Sequence, residues 1–361
     1  MRRAIFSVCF LLAITAPCLA QGDKAKPNTL TPKEIADGWI LLFDGATTFG
    51  WKINGEARVV PAEFQTGKEL RLGGKEAASA QCSTAFGVVD IYLRYHTRNV
   101  AKMRVGDKTI ELKAGTGIVS AEGADKNGLI IEVPSGQPGE GLGIDEIKIR
   151  PRNTTSIFNA KDLAGWKEFP GKKSKFAVND KGELNVKDGP GDLQTVGKYQ
   201  NFILQFECVS NGKHLNSGIF FRCRDNEYQN GYEAQIRNQF TAEASQKYLI
   251  EEYDPKTNKL SSKKEILSTA FDFGTGAIYR RVPARKGMSK DGEWFGMTIV
   301  AHGNHFATWV NGVQVTDWTD NRPKSDNART GCKLEAGHIS IQGHDPTTDL
   351  SFRNFRIAEL K

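Results

Sequence analysis

Methionine is scarce in this chain, at four of 361 residues, while glycine reaches 37. Long stretches with apolar residues three and four apart are also missing, which argues against a helical bundle and for a turn-rich β protein. No C-x-x-C or H-x-x-x-H spacing occurs, so the ligand pattern of a structural zinc site is not present. There is no G-x-S-x-G elbow, no H-E-x-x-H and no glycine-rich phosphate loop, which removes the usual serine hydrolase, zincin and nucleotide-binding readings. Basic residues outnumber acidic ones, for a formal charge of +7, yet no run of five or more basic residues appears. Pairs such as Lys172–Lys173 and Lys263–Lys264 read as solvated loop charges, so nucleic acid is not expected as a partner.

The one long apolar run lies at the N-terminus. Arg2 and Arg3 precede the stretch from Ala4 to Ala16, and Pro17, Cys18, Leu19 and Ala20 follow. Charged start, short apolar run and small residue are the marks of a secretory leader cleaved after Ala20. Residues 1–20 are therefore expected to be a signal peptide, the protein to be exported to the periplasm or beyond, and no segment to span a membrane. Cys82, Cys208, Cys223 and Cys332 remain in the mature chain. Cys208 and Cys223 fall on consecutive strand patterns, where they either pair or stay as buried thiols.

What is present is a repeat and many short strands. Phe43-Asp44 precedes Gly50-Trp51-Lys52, and Phe158-Asn159 precedes Gly165-Trp166-Lys167 at the same spacing. Two β-sandwich modules are expected, residues 30–150 and 155–361, joined near Pro151–Thr155. Alternating segments at 88–95, 202–209, 217–223 and 297–302 support strands, and Asn311-Gly312 between two such runs signals a type I′ hairpin. The stretch 240–292 is long and polar but holds Tyr253, Phe271, Phe273 and Tyr279, so a packed functional insertion is expected there.

Three consecutive strands carry one apolar and one polar face. Gln205 and Glu207 alternate with Phe206 and Cys208; Arg222 and Arg224 follow Phe220; Glu233, Gln235 and Arg237 alternate with Ala234 and Ile236. Lysine, the usual surface filler, is missing from these positions, and Glu, Gln and Arg among aromatics suit sugar hydroxyls and rings. His344, after Gln342, is the best placed histidine. With Glu233 the only acid supported on this face, a glycosidase using paired carboxylates is not favoured.

The second module resembles the 3-keto-α-glucoside-1,2-lyase/3-keto-2-hydroxy-glucal hydratase (3-keto-disaccharide hydrolase) family. The resemblance is carried by Phe158-Asn159 with Gly165-Trp166, Tyr199-Gln200-Asn201-Phe202, Asn216-Ser217-Gly218-Ile219, Gly231-Tyr232-Glu233-Ala234-Gln235, Thr275-Gly276-Ala277-Ile278-Tyr279, Gly292-Glu293-Trp294, Val310-Asn311-Gly312 and Phe352-Arg353-Asn354. Phe295 stands where the family usually has Asn after the Trp, and Ile341 precedes Gln342 where Leu is usual. The resemblance implies an all-β fold, a concanavalin/laminin-G-like jelly roll. It also implies cleavage of 3-keto-glycosides by elimination of the C1 substituent and hydration, net hydrolysis of a small-molecule or oligosaccharide substrate. In that chemistry Glu233, His344, Arg222 and Arg353 are the expected catalytic residues, and Asn216, Gln235, Tyr279 and Gln342 the expected sugar contacts. A divalent metal such as Mn²⁺ held by Glu233 and His344 is a further expectation. The first module matches only at its opening and is expected to be non-catalytic. The competing expectation is a secreted, lectin-like carbohydrate-binding protein.

Overall fold

The computed structural model describes residues 27–125 and 128–360, so the expected leader lies outside the described residues. Almost everything described is strand and turn. One short helix, Pro32–Asp37, starts at Thr31, whose hydroxyl accepts from Glu34 N while the Glu34 carboxylate accepts from Thr31 N. Among the described residues no helix is long and apolar enough to cross a membrane.

The chain builds the same sandwich twice. In the first, one sheet runs Ala57–Pro61, Lys68–Leu72, Leu142–Pro151, Gly87–Thr97 and Gly115–Asp125; the facing sheet runs Trp51–Asn54, Ala78–Cys82, Ile130–Val133, Ala101–Val105 and Lys108–Leu112. In the second, the order is Lys175–Val178, Leu184–Lys187, Asp349–Glu359, Phe202–Ser210 and Phe295–His302, extended by His305–Val310 and Val313–Thr319. Its facing sheet runs Trp166–Glu168, Gly191–Thr195, His338–Gly343, Ser217–Cys223 and Tyr232–Ile236. Taken in chain order, the two strand permutations coincide, so the Phe…Gly-Trp similarity marks a repeated topology.

Both openings are built by the same local bonds. Trp51 Nε1 donates to Leu42 O, and Trp166 Nε1 to Ile157 O, nine residues back in each case. Asp44 Oδ1 accepts from the amides of Ala46 and Thr47, as Asn159 Oδ1 does from Lys161 and Asp162. Side-chain amide and carboxylate both serve this turn because its two backbone amides need only one acceptor oxygen.

The modules share a core. Ile203, Val300, Ala307, Trp309 and Ala358 lie on the outer face of the second module's large sheet and pack into the first module's apolar cluster. Trp309 Nε1 donates to Leu41 O, and Leu41 N to Gly312 O. Arg285 and Lys286 close on Asp44 at 2.6 and 3.0 Å, which holds that carboxyl well below the usual range despite its burial. The turn behind this contact is the expected type I′ hairpin, with φ of 49° at Asn311 and 76° at Gly312. A Cβ at Gly312 would lie 2.2 Å from Leu30, so glycine serves both the turn and the module contact.

All four described cysteines are buried; Cys208 on the large sheet, Cys223 on the facing one and Cys332 are free thiols. Burial pushes the thiols of Cys208 and Cys223 up, away from the reactive thiolate.

Candidate active site

The solvent side of the five-stranded sheet, opposite the module contact, carries a cleft of about 270 Å³. Its floor follows from register. Glu233 pairs across with Phe220, Phe220 with Ser340, and Gln342 with Asp192, while Ala234, Ile219, Ile341 and Leu193 turn into the core. The wall comes from the insertion: Tyr279 N donates to Glu233 O, Gly276 N to Gln235 O, and Gln235 N to Ala277 O. This extra backbone beside Tyr232–Ile236 delivers Tyr279, Arg280 and Arg281 to the cleft, and the loop carrying Arg329 closes the other side. In the first module only Lys113 and Ala114 separate the corresponding strands, so that module lacks such a wall.

Glu233 is half-buried at the cleft, and among the described residues no side chain donates a hydrogen bond to its carboxylate. Burial pushes its carboxyl up to about 8, with Arg329 and Arg280 only partly opposing. Space for it is left by Gly218, where a Cβ would lie 2.6 Å from Glu233 Oε1. Gly218→Ala should fold, because no left-handed backbone is required there, but should press the carboxylate toward solvent. Its titration, followed by carboxyl-carbon NMR, should then move down toward the ordinary value; an unmoved titration would mean that Gly218 does not shape the pocket.

His344 sits at the other end. Its Nδ1 lies 2.8 Å from Asp345 Oδ2, and its Nε2 is 3.4 Å from the Asn216 amide nitrogen. A carboxylate can only accept, so Nδ1 carries the proton and Nε2 presents its lone pair. Two buried amide oxygens nearby, Gln342 Oε1 and Asn216 Oδ1, have no donor. Below the floor Asp192 is fully buried and accepts from Ser340 Oγ, Gln194 Nε2 and Gln229 N; burial nevertheless pushes its carboxyl up.

The structure brings together Glu233, His344, Tyr279 and Gln342 as cleft-lining residues, with Asn216 against His344. It separates the rest. Arg222 follows a β-bulge between Phe220 and Cys223 and takes φ of 52°, which breaks the alternation and turns its side chain inward. Wholly buried, it donates to the carbonyls of Gln200, Gly303 and Lys333. Arg353 belongs to the large sheet, where it makes a two-pronged pair with Glu207 at 3.0 and 3.1 Å and lies over Trp294. Gln235 is spent on backbone, donating to Asp272 O and accepting from Ile236 N. The cleft guanidiniums are instead those of Arg280, Arg281 and Arg329, none with a carboxylate partner among the described residues. Periodicity did not expose them because they lie on loops; the aromatic-rich insertion next to Tyr279 was the available signal.

Among the described residues, Glu233 and His344 share the cleft without a third acidic, histidine or cysteine donor close enough to complete a cation site with them. Among the described residues such a group forms only at Glu69, His96 and Asp145, in the first module. The Mn²⁺ expectation for the cleft is not met by this donor set.

The model of the 3-keto-alpha-glucoside-1,2-lyase-like domain family matches residues 153–358, more than half of the chain. The chain belongs to this family, which makes it a carbohydrate-active protein with a jelly-roll second module. Among solved structures it is similar to a putative glycosyl hydrolase from Parabacteroides distasonis, at 23% identity over 58% of this chain and 94% of that one, TM-score 0.42. A second structure of that description from the same organism gives 25% identity over 58% and 85%, TM-score 0.40. A carbohydrate-binding module from Bacillus subtilis gives 14% over 53% and 93%, TM-score 0.33. No curated protein matches the chain.

Proposed function

We propose that the second module cleaves 3-keto-glycosides by elimination and hydration, with Glu233 as the base. The observation that carries this reading is one carboxyl, raised to about 8, in a cleft whose guanidiniums have no carboxylate partner among the described residues. A base whose affinity for protons lies near neutrality is matched to taking a carbon-bound proton made acidic by a neighbouring ketone. Two carboxylates would be needed for direct glycoside hydrolysis, and among the described residues one lines this cleft.

In the proposed course Glu233 takes the C2 proton and the electron pair moves onto the C3 oxygen. Arg280 and Arg329, the guanidiniums whose charge reaches Glu233, balance that enolate. Its collapse breaks the C1–O bond, and the leaving oxygen takes a proton from solvent. Water then adds at C1, His344 Nε2 taking its proton, and Glu233 returns a proton to C2. Tyr279, Gln342 and Asn216 hold the ring, the latter two through their unpartnered oxygens. The first module is non-catalytic in this reading, and the leader directs export.

The test is incubation of the mature protein with a 3-keto-glucoside in D₂O. Aglycone release with deuterium at C2 is expected, and sugar binding without release or exchange would favour the lectin-like role. Activity should rise tenfold per pH unit up to about 8 and then level off, since the base is competent only when ionised; a profile flat from pH 5 to 8 would remove Glu233. Asp345→Asn should lower kcat on the order of tenfold or more with little change in KM, because an amide can donate to Nδ1 and stabilise the other tautomer. Unchanged kcat would take His344 out of the hydration step.

A further inference from the structure

A second cluster of ligand-type side chains lies in the first module, away from the cleft. Glu69, His96 and Asp145 are 0%, 5% and 2% exposed, and their ligand atoms lie within 4.8 Å of one another. They come from three neighbouring strands, Lys68–Leu72, Gly87–Thr97 and Leu142–Pro151. Two backbone features bring them together. The register slips between Ile144 and Glu146, leaving Asp145 as the extra residue of a β-bulge, a device that re-aims a side chain. Gly143 lies opposite His96, and a Cβ there would come within 2.0 Å of His96 Nε2.

The hydrogen bonds leave this cluster incomplete. Glu69 Oε1 accepts from Arg71 Nε at 2.7 Å, and its Oε2 meets His96 Nε2 at 2.7 Å. Asp145 Oδ1 is buried with no hydrogen-bond partner among the described residues. Arg71 is bonded to Glu63 and Glu69, and Arg94 to Glu146, so neither guanidinium is bonded to Asp145. A buried polar oxygen without a partner is costly, and one divalent ion would give Asp145 Oδ1 the partner it lacks.

We propose that Glu69, His96 and Asp145 form a divalent transition-metal site, of the class that takes Zn²⁺. Imidazole with two carboxylates is a donor set that such ions accept, and Arg71 would orient the Glu69 carboxylate from outside. Three protein ligands leave a fourth position. A cavity of about 290 Å³, lined by His96, Arg71, Glu63, Arg98 and Thr116 under Phe64, gives the ion its way in. The inference is independent of the chemistry proposed for the cleft.

The experiment is calorimetric titration of the full, untagged chain with ZnCl₂ after chelator stripping, alongside metal analysis and thermal unfolding. One equivalent is expected for the wild type, with affinity at least tenfold weaker in Asp145→Asn and in His96→Gln. Metal-free Asp145→Asn should unfold at or near the wild-type temperature, since the Asp145 Oδ1 it replaces makes no hydrogen bond among the described residues. Zn²⁺ should raise the wild-type Tm and leave that of Asp145→Asn unmoved. Glu233→Gln should bind Zn²⁺ as the wild type does. Absence of binding by the folded wild type, undiminished affinity in both cluster variants, or loss of binding in Glu233→Gln would each overturn the proposal.

Discussion

Glu233→Gln is expected to lose activity by two to four orders of magnitude, about the contribution of a positioned general base, and yet to be the more stable protein above neutral pH. The sign follows from the raised carboxyl. Its ordinary value is 4.5 and its native value about 8, so the folded state holds a proton that the unfolded state releases. Folding is favoured by this group below pH 4.5, and that advantage is lost progressively as pH rises toward 8. At pH 7 the loss is about 3 kcal/mol as an upper bound, and about 1–3 kcal/mol after allowing for the half-exposed position. Glutamine has nothing to titrate. Urea unfolding at pH 5 and pH 8.5 should therefore show a falling stability in the wild type that is absent in the variant. Retained turnover would remove Glu233 from the chemistry, and parallel pH dependences would show that its environment does not favour the neutral acid.

Arg222→Met is expected to do the reverse. Its guanidinium satisfies the carbonyls of Gln200, Gly303 and Lys333 and lies 5.2 Å over the Phe306 ring, inside the sandwich. Methionine fills similar volume but donates nothing, so one buried and two partly buried acceptors lose their partner. Each such loss costs about 1–3 kcal/mol, partly offset by removing a buried charge, for a net of about 3–5 kcal/mol. Denaturant unfolding should report that loss, while kcat/KM per folded molecule should stay within about twofold, since Arg222 does not line the cleft. Strong loss of activity with unchanged stability would return Arg222 to the catalytic role that the family resemblance implies.

These two side chains show why the sequence is legible in some places and not in others. The alternation through Tyr232–Ile236 holds without interruption, so the cleft face of Glu233 can be read from period two alone. Along Ser217–Cys223 the same rule fails after Phe220, because a bulge changes which side Arg222 faces. A one-residue insertion in the ladder leaves no mark in composition or hydropathy. Arg353 was misplaced for a different reason: a strand shows which of its residues share a face, not which of two sheets it joins. Gln235 lies on the expected strand and is consumed by neighbouring backbone. His344 and Gln342 reach the cleft because the strand carrying them lies between those of Asp192 and Phe220.

Local pattern by itself determined the all-β class, the repeated Phe…Gly-Trp openings, the Asn311-Gly312 turn and the family of the second module, because each depends on residues close in the chain. Tertiary structure alone decided that the two sandwiches share a core through Trp309, that Arg280, Arg281 and Arg329 supply the cleft's positive charge, and that a bulge aims Asp145 at His96 and Glu69. Each of those depends on strand order, bulges and loop closure, where segments far apart in sequence meet, and burial then sets the charge of whatever they enclose.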